Sequence, residues 1–252
     1  MNKLNLSRLK KKIYLPKFLK PKKNFFLIRV GKRNDGGYLV DPSSIIECKT
    51  LISLGINDDW SFEKNFHKIN PNIKLFCYDK ETSFVFLLKI FLKKFIFMYY
   101  YGIKDTLISL YKLVDYFFFL KRRLYKKNIS YNDIIKISKE LKPPFFLKID
   151  IEGSEYRILN DLLKLQKKIC GIIIELHNID LFFHKIKKFI NLNKLKLTHI
   201  HANNVEIFHG SCNIIELTFA KSPEIIKTKI KFPNKLDQPN IKNLPEIKLF
   251  FK

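Results

Sequence analysis

The sequence has few cysteines and few acidic residues. Its four cysteines lie far apart, and no two of them form a Cys-x-x-Cys pair. This excludes a disulfide-stapled miniprotein and a cysteine-rich zinc site, and it favours reduced thiols in a cytoplasmic protein. The 23 Asp and Glu residues stand against 48 Lys and Arg residues, which gives a formal net charge of +25.

The sequence also lacks a long uncharged apolar run. Lysines interrupt the first 23 residues, so no signal peptide is predicted there. The most apolar region, 84–101, contains Lys89, Lys93 and Lys94, whereas a membrane-spanning helix needs about 20 nearly uncharged residues. Its apolar residues are spaced three and four apart, which predicts an amphipathic helix packed on the protein, with a helix on a membrane surface as the alternative.

The positive charge leaves the partner open. Lysines occur from Lys3 to Lys252, and Asn, Ile and Phe are also abundant, so compositional bias explains the charge as well as function does. If the charge is functional, its partner is a nucleic acid, a phosphate-bearing substrate or an anionic lipid. With an anionic lipid, the protein would contact the membrane surface peripherally. Length and a hydrophobic content of 46% predict one domain over 1–252. Its predicted additions are a basic arm at 1–25, a helical insertion at 84–127 and a surface-lying tail at 231–252.

Short apolar runs alternate with helical patterns, which predicts an α/β fold. An Asn-Asp-Gly-Gly turn at 34–37 predicts an initial hairpin. The strands at 197–201 and 213–220 are too close for a crossover helix, so we expect them to be antiparallel. A mostly parallel sheet with an antiparallel last strand is the Rossmann-like arrangement of class I methyltransferases. The other predicted strands are 50–54, 73–78, 95–101, 145–150 and 171–176, and a helix with Ser154 as its N-cap is predicted at 154–168.

Ligands of such sheets bind beyond the carboxyl ends of the strands. The loop after the first parallel strand is neither GxGxxG nor a P-loop, and its polar residues suit a positively charged ligand without phosphate. An acid at the end of the second strand is where nucleotide-binding sheets hold ribose hydroxyls. An ordinary βα turn and a helix cap are the structural alternatives. The residues that we expect to bind an adenosine-containing cofactor are Gly55, Asn57, Ser61, Glu63 and Asp79.

Acids and histidines follow the later strands. Asp150 ends a buried apolar strand, where an unused charge is costly, although acids there would also stabilise a helix N-terminus. Glu175 and His177 share one strand face, and His199 and His201 share another. We expect these groups to converge at one edge of the sheet.

With these residues in view, the chain resembles the FkbM-type family of S-adenosylmethionine-dependent methyltransferases over roughly 51–220. The string LKIDIEGSE at 147–155 carries most of the resemblance, and NDII at 132–135 and IIIELH at 172–177 support it. The segments 29–40 and 199–204 resemble a subgroup found near surface-polysaccharide genes. The first turn, LGINDDWSFE, lacks the second glycine that many members have, and the insertion has no clear counterpart in the family.

The resemblance implies methyl transfer from S-adenosylmethionine to a hydroxyl of a sugar, either nucleotide-linked or in a surface glycan such as capsule. A sugar hydroxyl needs a general base or a cation to lower its pKa. The candidate bases are Asp150, Glu152, His177 and His201. Asp150, Glu175 and His177 would suit Mg²⁺ or Mn²⁺, and a metal-free site with a histidine base is the alternative.

Two other functions fit parts of the sequence. A nucleic-acid methyltransferase, acting on RNA, would explain the charge, but the chain has no NPPY-type motif, no Cys-nucleophile motif and no distinct RNA-binding module. A non-catalytic basic binding module is the third hypothesis. Retention of Gly55, Asp79, Asp150 and Glu175 argues against it.

Overall fold

A computed structural model describes residues 12–126, 129, 133–205 and 213–252. Its strands, in chain order, are β1 (Lys12–Leu15), β2 (Ile28–Gly31), β3 (Gly37–Val40), β4 (Thr50–Leu54), β5 (Lys74–Asp79), β6 (Leu124–Lys126), β7 (Phe145–Ile149), β8 (Ile169–Leu176), β9 (Lys196–Ala202), β10 (Ile215–Ala220) and β11 (Lys248–Phe251). Its α-helices are α1 (Pro42–Glu47), α2 (Ser61–Ile69), α3 (Phe84–Ile96), α4 (Met98–Tyr101), α5 (Ile103–Asp115), α6 (Asp133–Glu140), α7 (Glu155–Leu165) and α8 (Ile179–Leu192).

The central sheet has the order β6-β5-β4-β7-β8-β10-β9 within the described residues. Its strands are parallel except β10, which runs antiparallel to both β8 and β9. This confirms the predicted class I methyltransferase arrangement, including the antiparallel pair near the end. From β4 the chain adds β5 and β6 on one side, and it then crosses to the other side of β4 to form β7 and β8. A ligand crevice forms at such a switch point, beyond the carboxyl ends of β4 and β7.

Both faces of the sheet are covered by apolar side chains, because helices flank it on either side. One face packs Phe62 and Phe66 of α2 against Phe146 of β7. The other face packs Ile158 and Leu162 of α7 into the second core cluster. The predicted hairpin is confirmed as a separate antiparallel pair of β2 and β3.

The strand predicted at 95–101 is wrong. This aromatic-rich stretch suits a strand by propensity, but its apolar residues continue the helical spacing of the preceding segment, and it forms the end of α3 and α4. The third parallel strand is instead β6, in which Leu124 pairs with Cys77 of β5. The helical segment predicted at 84–127 is thus helical through a π-helical turn at Tyr116–Leu120 and then enters the sheet.

The tail predicted to lie on the surface is also built into the fold. β11 pairs in parallel with β1 of the N-terminal arm, and Leu249 lies opposite Ile13. Ile247 and Leu249 join the core cluster that contains Leu15 and Leu19. Burial alternates along both strands, so that Ile13, Leu15 and Leu249 lie on the buried face while Tyr14 and Phe250 are exposed. Residues 1–11 of the predicted arm lie outside the described residues.

Candidate active site

The loop between β4 and α2, residues 55–60, begins where β4 and β7 end side by side. We call it the cofactor loop, because the sequence predicts cofactor-binding residues in it. Leu54 pairs with Ile149, and the amide of Asp150 donates to the carbonyl of Leu54 at 3.0 Å. Gly55 has φ +73°, and a Cβ atom there would lie 1.6 Å from the carbonyl oxygen of Asp150. A side chain is therefore excluded at Gly55, and the loop is fixed directly against the residue that follows β7.

Asp79 holds the cofactor loop from the end of β5. One carboxylate oxygen accepts from the amides of Ile56 and Asn57, at 3.1 and 3.0 Å, and the other accepts from Glu81 and Thr82, both at 2.8 Å. Partial burial alone would raise the pKa of Asp79, but these amide hydrogen bonds outweigh it and lower the pKa. Asp79 is thus an ionised residue that organises the loop, and its contact with a ribose stays a prediction.

Three predicted cofactor residues have different surroundings. Asn57 is exposed on the loop with φ +46°, and the Ser61 hydroxyl accepts from the amide of Lys32 in the hairpin turn at 3.1 Å. Glu63 is fully buried, accepts from the Ser53 hydroxyl and has Lys148 Nζ 4.0 Å away. Burial raises the pKa of Glu63, against the opposing effects of Lys148 and Ser53. We therefore assign Glu63 to the packing of α2 on the sheet rather than to direct cofactor contact.

Asp150, Glu175 and His177 converge at the carboxyl edge of β7 and β8. One oxygen or nitrogen atom from each residue lies within 4.8 Å of the corresponding atoms of the other two. Burial raises the pKa of Asp150 to about 6, although Lys148 and His177 favour its ionised form. Burial and the neighbouring Asp150 raise the pKa of Glu175 well above its usual value. The ionised forms of these two neighbouring acids are disfavoured, and a bound cation would stabilise them. The cluster therefore suits a cation.

Glu155 orients His177, a role that the sequence analysis missed. Its fully buried carboxylate lies 3.2 Å from His177 Nδ1 and accepts from the amides of Ile151 and Gly153 at 3.2 and 3.0 Å. The ring's other nitrogen, Nε2, then faces Glu175 at 3.7 Å. Burial disfavours the imidazolium, but Glu155 outweighs it, and the pKa of His177 is raised. The sequence signal for this role is Glu155 itself, the last residue of the string LKIDIEGSE.

The helix cap predicted at this position is only partly present. Ser154 occupies the N-cap position of α7, but its side chain makes no capping hydrogen bond. The carboxylate of Glu155 accepts the amides of the preceding turn instead. The turn is tight, since Glu152 has φ +51° and Gly153 has φ +88°, and Glu152 is consequently turned outward. Its carboxylate is largely exposed and lies 3.5 Å from His177 Nε2, so Glu152 remains a predicted base at the rim of the site.

The family model for the methyltransferase FkbM domain matches residues 24–197, which is more than half of the chain. The chain belongs to the FkbM methyltransferase family. S-adenosylmethionine is accordingly its methyl donor, and the enzyme is a methyltransferase. Gly55, Asp79, Asp150, Glu155, Glu175 and His177 all lie within the matched residues.

Solved structures with a similar fold are distant. Precorrin-6y C5,15-methyltransferase from Geobacter metallireducens GS-15 is 14% identical with a TM-score of 0.37, covering 72% of this chain and 85% of that one. TrmK from M. capricolum, in complex with S-adenosyl-homocysteine, is 11% identical with a TM-score of 0.34, covering 74% and 70%. The Methanococcus jannaschii fibrillarin pre-rRNA processing protein is 10% identical with a TM-score of 0.37, covering 78% and 82%. These likenesses are too distant to assign an activity, and no curated protein matches the chain.

His201 lies beyond the matched FkbM methyltransferase domain, and its role as a base stays a prediction. Its Nδ1 is 3.3 Å from Glu216 and its Nε2 is 3.1 Å from Glu246. Burial disfavours the charged ring, but these carboxylates outweigh it and raise the pKa of His201 well above 6.5. Both ring nitrogens therefore already lie next to carboxylates. The pair with Glu246 fixes the C-terminal tail of this FkbM methyltransferase to β9.

We expect His201→Gln to destabilise the protein by about 3 kcal/mol at pH 6, because the buried Glu216 and the half-buried Glu246 lose their charged partner. A raised histidine pKa contributes stability that is fully present below pH 6.5 and is lost as the pH rises through the higher folded-state pKa. The difference in free energy of unfolding between wild type and variant should therefore shrink at pH 9. Urea unfolding at both pH values measures it, with the exposed His184→Gln as the control. A difference independent of pH would contradict the assigned imidazolium.

Proposed function

We propose that this FkbM-family methyltransferase methylates a hydroxyl group of a sugar, either nucleotide-linked or part of a surface glycan. The observation that carries the proposal is the cluster of Asp150, Glu175 and His177 beside the cofactor loop. A sugar hydroxyl is a poor nucleophile with a pKa far above neutrality, so it needs a general base or a cation at its oxygen. Two carboxylates and one oriented imidazole are groups that serve either purpose.

The cofactor fits the edge formed by β4, β5 and β7. Gly55, Asn57 and Asp79 would hold it, since the glycine leaves backbone accessible and the acid lies at the end of β5. When bound, S-adenosylmethionine supplies an electrophilic methyl group on a positively charged sulfur. Asp150 and Glu175 would supply carboxyl groups on the acceptor side of the site, and the close backbone approach of Gly55 to Asp150 would fix their position relative to the cofactor loop. Such positioning of donor and acceptor in line provides much of the acceleration of a displacement reaction.

The same cluster has the donor set of a divalent-cation site. Carboxylate oxygens with one imidazole suit Mg²⁺ or Mn²⁺ and leave positions for substrate oxygens. Glu155 contacts His177 Nδ1, the nitrogen that would not bind the metal, and a carboxylate in this position typically orients a metal-bound histidine. A cation held by Asp150, Glu175 and His177 would supply Lewis acidity that lowers the pKa of the acceptor hydroxyl. His177 acting as a base without metal is the competing account.

We expect Glu155→Gln to weaken Mn²⁺ binding by about 10- to 100-fold, because the histidine ligand loses the carboxylate that orients it. Isothermal titration with Mn²⁺ measures the affinity, and Glu175→Gln, which removes a ligand, should bind more weakly still. The exposed Glu47→Gln should bind like wild type, and thermal melts check that each variant is folded. Unchanged Mn²⁺ affinity in both site variants would reject the metal site and favour the histidine base.

The function itself is tested by transfer of a labelled methyl group to a panel of nucleotide sugars, glycans and RNA, each with and without a chelator. We expect labelled sugar, unlabelled RNA and a higher melting temperature when S-adenosylmethionine is added. Label in RNA alone, with strongly salt-dependent binding, would support the nucleic-acid methyltransferase instead. No change in melting temperature with the cofactor would support a non-catalytic binding module.

A further inference from the structure

The helical insertion carries an apolar surface that faces solvent. We use the name insertion surface for the exposed large apolar side chains between 84 and 118. Tyr99 is 95% exposed, Phe118 is 83% exposed and Tyr100 is 81% exposed. The others are Phe84, Val85, Leu92, Phe95, Ile96, Phe97, Met98, Tyr101, Ile103, Leu107, Ile108, Leu110, Tyr111, Val114 and Phe117. Contiguous exposed apolar surface of this extent marks an interaction site in a folded protein.

The insertion is anchored to the core by Leu87, Leu113 and Leu120, and small polar residues are buried between its helices, while most of its other large apolar residues are exposed. Thr106 and Ser109 of α5 are buried. The Thr106 hydroxyl donates to the carbonyl of Lys94 in α3 at 3.2 Å, and the Ser109 hydroxyl donates to the carbonyl of Thr106 at 2.7 Å. Small residues at helix contacts with apolar residues outside are typical of helices that face lipid. In water this arrangement would be costly.

The charge around the insertion surface has one dominant sign. Residues 84–123 contain eight Lys and Arg and two Asp, a difference of +6. Asp115 already contacts Lys64 at 2.7 Å and accepts from the Trp60 indole at 2.6 Å. Lys89, Lys93 and Lys104 are exposed beside the apolar residues, where their stems can lie along apolar surface with the ammonium groups in water. Self-association through this surface would bring two positive patches together, which argues against a second copy as its partner.

We propose that the insertion surface binds the face of a lipid bilayer that contains anionic lipids. α3 and α5 have 13 residues each, too few to span about 30 Å of hydrocarbon. Within the described residues, no helix is both long and apolar enough to cross a membrane. The helices would therefore lie in the interface with their aromatic residues at the headgroup level, and the lysines would bind the anionic headgroups. This proposal concerns attachment and does not depend on the acceptor that the enzyme methylates.

Co-sedimentation of the full chain with vesicles tests the proposal without cofactor or turnover. We expect binding to vesicles of phosphatidylcholine with phosphatidylglycerol, and at least about tenfold weaker binding to phosphatidylcholine alone. The triple variant Tyr99→Ser, Tyr100→Ser, Phe118→Ser should lose at least about tenfold in affinity for the anionic vesicles. The double variant Lys93→Glu, Lys104→Glu should lose at least about thirtyfold, at about 1 kcal/mol for each lysine removed.

Ile46→Ser with Leu181→Ser is the matched control, because both side chains are exposed apolar residues outside the insertion. It should bind anionic vesicles like wild type. Failure of wild type to sediment with anionic vesicles, or equal binding by the triple variant, would overturn the proposal. So would a dimer in analytical ultracentrifugation that the triple variant abolishes, since a second copy would then cover the surface.

Discussion

Replacing Asp150 with Asn should reduce methyl transfer by about 10²- to 10⁴-fold, the range typical of a lost catalytic base or charge-stabilising group. The carboxylate lies with Glu175 and His177 in one cluster beside Gly55, so either mechanism of activating the hydroxyl passes through it. The amide of Asn has the same shape but neither the negative charge nor the basicity. Initial rates with the labelled cofactor and a saturating acceptor measure the effect.

The stability of the same variant should be equal to or higher than that of wild type. Asp150 is half-buried beside the buried Glu175, and desolvation raises the pKa of both acids, that of Asp150 to about 6. Removing one of the two charges therefore relieves repulsion at neutral pH. Asp180→Asn, at an exposed position, is the control for both measurements. Full activity of Asp150→Asn would defeat the metal mechanism and the base mechanism together.

Gly55→Ala should destabilise the protein by about 3 kcal/mol or more, which corresponds to a drop in melting temperature of about 6 to 12 °C. The new methyl group would lie 1.6 Å from the carbonyl oxygen of Asp150, and this oxygen belongs to the backbone. The end of β7 or the cofactor loop must therefore move. We also expect the loss of the melting-temperature increase that S-adenosylmethionine gives.

Gly102→Ala separates the clash from the backbone strain. Gly102 has φ +82°, close to that of Gly55, but a Cβ atom there meets nothing within 4 Å. With ψ 155°, Gly102 lies in a region that glycine alone adopts readily, so the control should lose about 1 to 3 kcal/mol but keep its response to the cofactor. Equal losses in the two variants would show that φ alone, and not the contact with Asp150, makes Gly55 necessary.

Strands β4, β5, β7 and β8 were accessible from the sequence because each is a short buried apolar run. β6 was not, since its three residues lie next to the charged run at Lys121–Arg123 and its position depends on pairing with β5. The run at 95–101 has the composition of a strand, but packing of α3 against α5 decides its structure. Local propensity thus failed where tertiary contacts outweigh it.

The cluster of Asp150, Glu175 and His177 could be predicted because carboxyl ends of parallel strands meet at one edge of the sheet. The role of Glu155 could not, since only the turn at Glu152 and Gly153 brings its carboxylate under His177. The surroundings of His201 could not be predicted for a similar reason. Its partner Glu246 is 45 residues away in the sequence, and no local pattern shows that the tail returns to β9.

The insertion is joined to the cofactor loop by direct ion pairs. Lys112 of α5 contacts Asp58 at 2.7 Å, and Asp115 contacts Lys64 in the helix that follows the loop. Binding to a bilayer and binding of S-adenosylmethionine are then thermodynamically linked. If the bilayer changes the affinity of the enzyme for S-adenosylmethionine by some factor, bound S-adenosylmethionine changes the affinity of the enzyme for the bilayer by the same factor. Donor binding would then strengthen attachment to the bilayer only to the extent that the attached enzyme binds the donor more tightly.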